Sequence, residues 1–285
     1  AEPLARPLLF FGDPRGMPEM TICSLNLNNY GTTKDFTRIF KNVQLPRRER
    51  TETSALTTIT KRGCDLVALQ GILGQTNTTA EEAITHFVAK LKSRTGTEWK
   101  FFLGESGRGI VRNRFVYKSN LGETIKEKSF GDVPLLSFGA FNQKEVSRAP
   151  VEVILRMKSK NAGVTRDVIF LNFHFQQGFV DKILESESSR MQLADAVRQI
   201  IHSEQQSYPQ DEPPIVVMRG DRCGPLEAPA PQLLEGRMRL LDFTQNGGCT
   251  LSPVGKVECK TPPAHLKEFF GLTAEGILLE PKIKK

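Results

Sequence analysis

The chain has 285 residues, 39% of them hydrophobic and 25% charged, with a formal net charge of +7 at neutral pH. That composition supports a sizeable packed core and excludes wholesale disorder. No apolar run approaches the ~20 residues of a transmembrane helix, and the positive balance favours polyanionic partners such as nucleic acid or anionic headgroups.

Residues 1–18 hold four prolines and no clear periodicity, so they read as an arm ahead of one domain, 19–285. Met20–Leu27 (MTICSLNL) is the first expected strand, ending among Asn26, Asn28 and Asn29. A helix follows Pro46 and stops at Gly63, where the missing Cβ suits a left-handed C-terminal residue. Cys64–Leu73 (CDLVALQGIL) is the second strand. Across Ala80–Lys92, the residues Ala83, Ile84, Phe87, Val88 and Leu91 recur at helical spacing and leave His86 on the solvated side.

Four strands come next, Trp99–Leu103, Arg114–Lys118, Val151–Met157 and Asp167–Phe175, with residues 104–113 and 131–148 read as loops. Met191, Ala194, Val197 and Ile201 mark a further long helix. The apolar run Ile215–Met218 suits a strand buried on both faces, and Arg219-Gly220-Asp221 ends it. Arg239–Phe243 and Gly276–Ile283 complete the strands. Two strand–helix–strand passages separated by consecutive strands predict an α+β fold with helices covering sheets.

The five cysteines form no CxxC pair and no zinc spacing. Cys23 and Cys64 lie in apolar runs and read as core thiols. Cys249 and Cys259 flank a turn-rich segment and are placed to close a small disulfide loop, which requires an oxidising compartment. The chain opens at Ala1 rather than Met, consistent with signal-peptide removal or with trimming of the chain. A secreted or periplasmic setting is expected, with a cytoplasmic one as the alternative.

Polar residues gather at the ends of the apolar strands: Asn26, Gln70, Asn172 and His174, and Asp221. Brought together, such oxygen-rich groups suit a hard cation, Mg²⁺ or Mn²⁺, which polarises a phosphate. A histidine beside it serves as general acid or electrostatic stabiliser. The structural alternatives are a strand cap for Asn26, a satisfied buried imidazole for His174, and a plain turn for Asp221.

The order of these stretches resembles the endonuclease/exonuclease/phosphatase superfamily, the DNase I-like proteins. The resemblance runs from about Met20 to the C-terminus. It rests on Asn26, on Asp65-Leu66-Val67-Ala68-Leu69-Gln70, on Arg148-Ala149-Pro150, on Ile169–Phe175 and on Gly220-Asp221. It implies a four-layer α/β/β/α sandwich with a phosphodiester-cleaving site at one edge. His174 and Asp221 would be catalytic, Asn172, Arg148 and Asn113 would bind substrate, and Asn26, Asp221 and Glu275 would hold the metal.

Departures from the family pattern cut against hydrolysis. The family's metal-binding glutamate falls on Gly71, the asparagine of G-D-x-N falls on Cys223, and no terminal S-D-H is present. The glutamate that pairs with the histidine in DNase-like members is replaced near Asn113 by an amide. Glu81 or Glu82 would have to reach in from a loop to replace the lost charge, and His265 to replace the second histidine. A pseudoenzyme that binds a phosphate-bearing ligand or nucleic acid is therefore the first expectation. An active metal-dependent phosphodiesterase or phosphatase with a rearranged shell is the second, and an interaction protein with no site is the third.

Overall fold

A computed structural model describes residues 8–10, 20–40, 44–105, 110–132, 148–158, 165–174, 183–209, 215–221, 238–241, 249–251, 257–259 and 277–281. In chain order the elements are β1 (Leu8–Phe10), β2 (Met20–Tyr30), α1 (Thr33–Phe40), α2 (Leu45–Arg62), β3 (Leu66–Leu73), α3 (Asn77–Thr95), β4 (Trp99–Leu103), β5 (Val111–Lys118) and β6 (Glu123–Ser129). After them come β7 (Val151–Lys158), β8 (Thr165–His174), α4 (Ile183–Gln206), β9 (Ile215–Asp221), β10 (Met238–Leu241), β11 (Cys249–Leu251), β12 (Val257–Cys259) and β13 (Ile277–Pro281).

Two large sheets result, one ordered β1-β2-β3-β5-β4 and the other β10-β13-β9-β8-β7-β6, with β11 and β12 forming a separate two-stranded ladder. The two strand–helix–strand passages supply the parallel pairs, β2 with β3 and β8 with β9. The consecutive strands pair antiparallel. This is an α+β fold.

Strand alternation places the cores. Ile22, Leu66, Ala68, Phe115, Val153 and Phe170 form a cluster between the sheets. The opposite parity of the first sheet, Cys23, Val67, Leu69 and Val116, packs with Leu56 and Ile59 of α2 and Ile84, Phe87 and Leu91 of α3. Each such fully buried aliphatic side chain stabilises the fold by roughly 1.5–3 kcal/mol. Helix α2 ends as its sequence dictates, with Gly63 at φ +63° donating its N–H to the Thr60 carbonyl. Helix α3 begins in a capping box between Thr76 and Thr79. Buried Glu52 accepts a 2.5 Å hydrogen bond from the Tyr30 hydroxyl and pairs with Lys90, tying α2 to β2 and α3. On the second sheet, Glu204 of α4 pairs with Lys126 of β6, and the Tyr208 hydroxyl just beyond α4 reaches Asp167 of β8 at 3.3 Å.

Several expectations are corrected. Cys23 and Cys64 are not thiols: they are joined in a disulfide, with Cα atoms 5.9 Å apart. Periodicity cannot distinguish a buried thiol from a buried cystine, and the pairing arises because β2 and the start of β3 run side by side. Part of the arm is structured, since Leu8–Phe10 pairs antiparallel with Met20–Ile22. Strand β5 starts at Val111, inside the expected loop. Strand β6 and helix α1 were not expected, because four of the seven residues of β6 are charged and α1 is short. Cys249 and Cys259 take facing positions in the β11–β12 ladder. His86 is half exposed, with Nε2 3.6 Å from a Glu52 oxygen.

Candidate functional site

The polar strand ends do meet. Asn26 pairs in register with Gln70 across the parallel β2–β3 ladder, and His174 pairs with Asp221 across β8–β9. The link between the sheets is an amide pair: Gln70 Nε2 donates to Asn172 Oδ1 at 2.7 Å and to Ser24 Oγ at 3.1 Å. Asn172 is wholly buried, and its Nδ2 donates to the carbonyls of Leu69 at 2.9 Å and Arg114 at 2.7 Å. Those carbonyls sit where the β3–β5 register shifts. Asn172 therefore completes hydrogen bonds that the irregular ladder leaves over.

Two neighbours shape the rim. Arg148 Nη1 donates to Nε2 of His174 at 2.7 Å, and the imidazole is only 5% exposed. Asn113 is fully buried and donates from Nδ2 to the Ala149 carbonyl at 2.9 Å, which fastens the Arg148-Ala149-Pro150 segment to β5. The structure thus gathers Asn26, Asn113, Arg148, Asn172 and His174 at one end of the sandwich, with Asp221 beside His174 in register. Glu275, Cys223 and His265 lie outside the described residues. Glu81 and Glu82 are exposed positions of α3, not of a loop.

Gly71 has its own geometry. Its φ is +74°, and a Cβ there would stand 2.6 Å from Asn26 Oδ1 and 3.0 Å from the Asn28 nitrogen. Asn26 Oδ1 accepts from that same Asn28 N–H at 2.9 Å. Asn28 and Asn29 follow at φ +53° and +67°, a conformation that asparagine tolerates better than most residues. The asparagine bulge of β2, a tight turn of the backbone at Asn28 and Asn29, stands where a Cβ at position 71 would go.

A hard divalent cation needs several oxygen donors with net negative charge. Among the described residues no group of three His, Cys, Asp or Glu is arranged to hold a metal. The amide oxygen of Asn26 already accepts from a backbone N–H, and position 71 offers no side chain. The described donors alone lack the anionic charge that Mg²⁺ needs.

No protein-family model matches the chain, and no curated protein matches it. Solved structures do. An endonuclease/exonuclease/phosphatase family protein from Bacteroides thetaiotaomicron superposes with a TM-score of 0.52 at 12% identity, over 92% of this chain and 83% of that one. The chain has the DNase I-like fold. A mannosyl-6-phosphatase from Bacteroides thetaiotaomicron superposes at TM-score 0.52 and 11% identity, covering 92% and 86% of the two chains. A protein of unknown function from Enterococcus faecalis does so at 0.50 and 12%, covering 91% and 86%.

Proposed function

We propose that this protein is a divergent DNase I-like relative that has lost the hydrolytic metal shell and binds a phosphate-bearing polyanion at the His174 end of the sandwich. One observation carries the reading: the asparagine turn fills the space beside Gly71, at 2.6 Å from the position a side chain would need. Loss of one member of a catalytic unit removes most of the rate, whereas anion affinity survives on the Arg148 charge and the net charge of +7. The Cys23–Cys64 disulfide supports a secreted or periplasmic setting.

The test joins turnover and binding. Hydrolysis of bis(p-nitrophenyl) phosphate with Mg²⁺ and then Mn²⁺ is expected to stay at background. A fluorescent single-stranded oligonucleotide is expected to bind, with affinity falling steeply as salt rises and falling further in Arg148→Ala. Turnover that disappears in both His174→Ala and Asp221→Ala would sink the proposal. It would establish the second reading, a working metal-dependent phosphodiesterase, which the retained His174–Asp221 register favours.

A further inference from the structure

Strand β5 carries two arginines on its helix-facing side, opposite in parity to Phe115 and Tyr117 of the inter-sheet core and in step with Val116 of the helix-side core. Arg114 is 0% exposed and Arg112 is 3% exposed. Nη1 of Arg114 donates to the carbonyls of Gly104 and Asn113, both at 2.7 Å, which fixes the plane of its guanidinium. Its Nε and Nη2 are buried with no hydrogen-bond partner among the described residues, and so is Nε of Arg112. Nη1 of Arg112 reaches the carbonyl of Thr76, the N-cap of α3, at 3.5 Å.

The pattern is not a scatter of lost bonds. Nε–H and Nη2–H are adjacent and parallel on one edge of a guanidinium, and that edge matches two oxygens of a carboxylate or phosphate. Burial, and then the neighbouring charge of Arg112, pull the Arg114 guanidinium well below its ordinary range, and among the described residues no carboxylate is paired with it. The first turn of α3 carries no acidic residue to offset its own positive end. Two buried guanidiniums with no counter-charge are strongly unfavourable, and folded proteins pair such groups.

We infer that the Nε–Nη2 edge of Arg114, with Nε of Arg112, is a receptor for a small inorganic oxyanion of the phosphate or sulfate class. Both side chains are buried, so the ligand we infer is the free ion rather than an ester. It stands apart from the polyanion site proposed above, because it lies on the opposite face of the first sheet from His174.

Thermal unfolding of the full chain, with inorganic phosphate titrated against chloride at constant ionic strength, tests this. The wild-type midpoint is expected to rise saturably by several degrees, and Arg114→Met is expected to show no rise. Arg114→Lys keeps the charge but not the fork, so its phosphate affinity is expected to drop at least tenfold. If Arg114→Met does not fold, Arg114→Lys and Arg112→Met decide the matter, each needing more phosphate than wild type. No phosphate-specific rise in the wild type overturns the inference, as does an equal rise in Arg114→Met. Equal stabilisation by glycerol phosphate also overturns it. A rise lost in Arg148→Ala but kept in Arg114→Met would assign the phosphate to the other site, leaving that reading intact and this one refuted.

Discussion

Nη1 of Arg148 lies 2.7 Å from Nε2 of His174. An arginine side chain only donates, so the imidazole nitrogen must accept, with its lone pair turned to the guanidinium. That leaves the proton of a neutral ring on Nδ1. Nε2 is thus occupied by a donor, which conflicts with a general acid at that atom.

Nitrogen NMR near pH 7.5 should accordingly show His174 as the Nδ1–H tautomer. Arg148→Ala should relax that preference. A ring protonated on Nε2 in the wild-type protein would contradict the arrangement.

Restoring the family's carboxylate by mutation should fail. Gly71→Ala is expected to cost about 2 kcal/mol, because its left-handed backbone is unfavourable for any residue with a Cβ, and to lower the melting temperature by several degrees. Gly71→Glu should cost at least as much, with no Mg²⁺-dependent hydrolysis and no Mg²⁺-dependent rise in melting temperature. Calorimetry with and without Mg²⁺ checks both. A gain of turnover in Gly71→Glu would mean the asparagine turn yields to the carboxylate.

The disulfide closes a loop with a sequence separation of 41 residues. Chain-entropy arguments give such a cross-link about 4 kcal/mol of stabilisation. Urea unfolding with and without a thiol reductant should differ by roughly that amount. Non-reducing peptide mapping should recover a fragment joining Cys23 to Cys64.

Glu152, on β7, is 0% exposed. One of its oxygens lies 3.3 Å from Lys126, a lysine it shares with Glu204. Burial and then the Glu204 charge push its carboxyl up to about 7 from an ordinary value of 4.5, against the pull of Lys126. Between these values the folded protein keeps a proton that the unfolded chain has released, so stability falls as pH rises through that window. The full effect is roughly 3 kcal/mol. Urea unfolding at pH 5 and pH 8 should show Glu152→Gln gaining on the wild type mainly at pH 8; parallel pH profiles would remove Glu152 as the cause.

Most of the framework could be read in advance, because apolar alternation and turn residues mark strands such as Trp99–Leu103 and stops such as Gly63 directly. The strand-end residues Asn26, Gln70, His174 and Asp221 were legible for the same reason. What escaped depends on pairing in space. Cys23 meets Cys64 only once β2 lies against β3, and Arg114 looks like an ordinary charged residue in RNRFVYK until the helices bury it. Gly71 was recognised as a loss, but the asparagine turn that grew into the space needs backbone angles that sequence spacing does not reveal.

The three-residue strand β1 gives the first sheet a protected flank. It covers Met20–Ile22 at the sheet's margin, and further along β2 the left-handed pair Asn28 and Asn29 bends the backbone away from straight extension. A long apolar strand at a margin otherwise invites another chain to add to it. Clipping the chain before Met20 would therefore expose a docking ladder for self-association, and the first symptom of a trimmed protein would be higher oligomers.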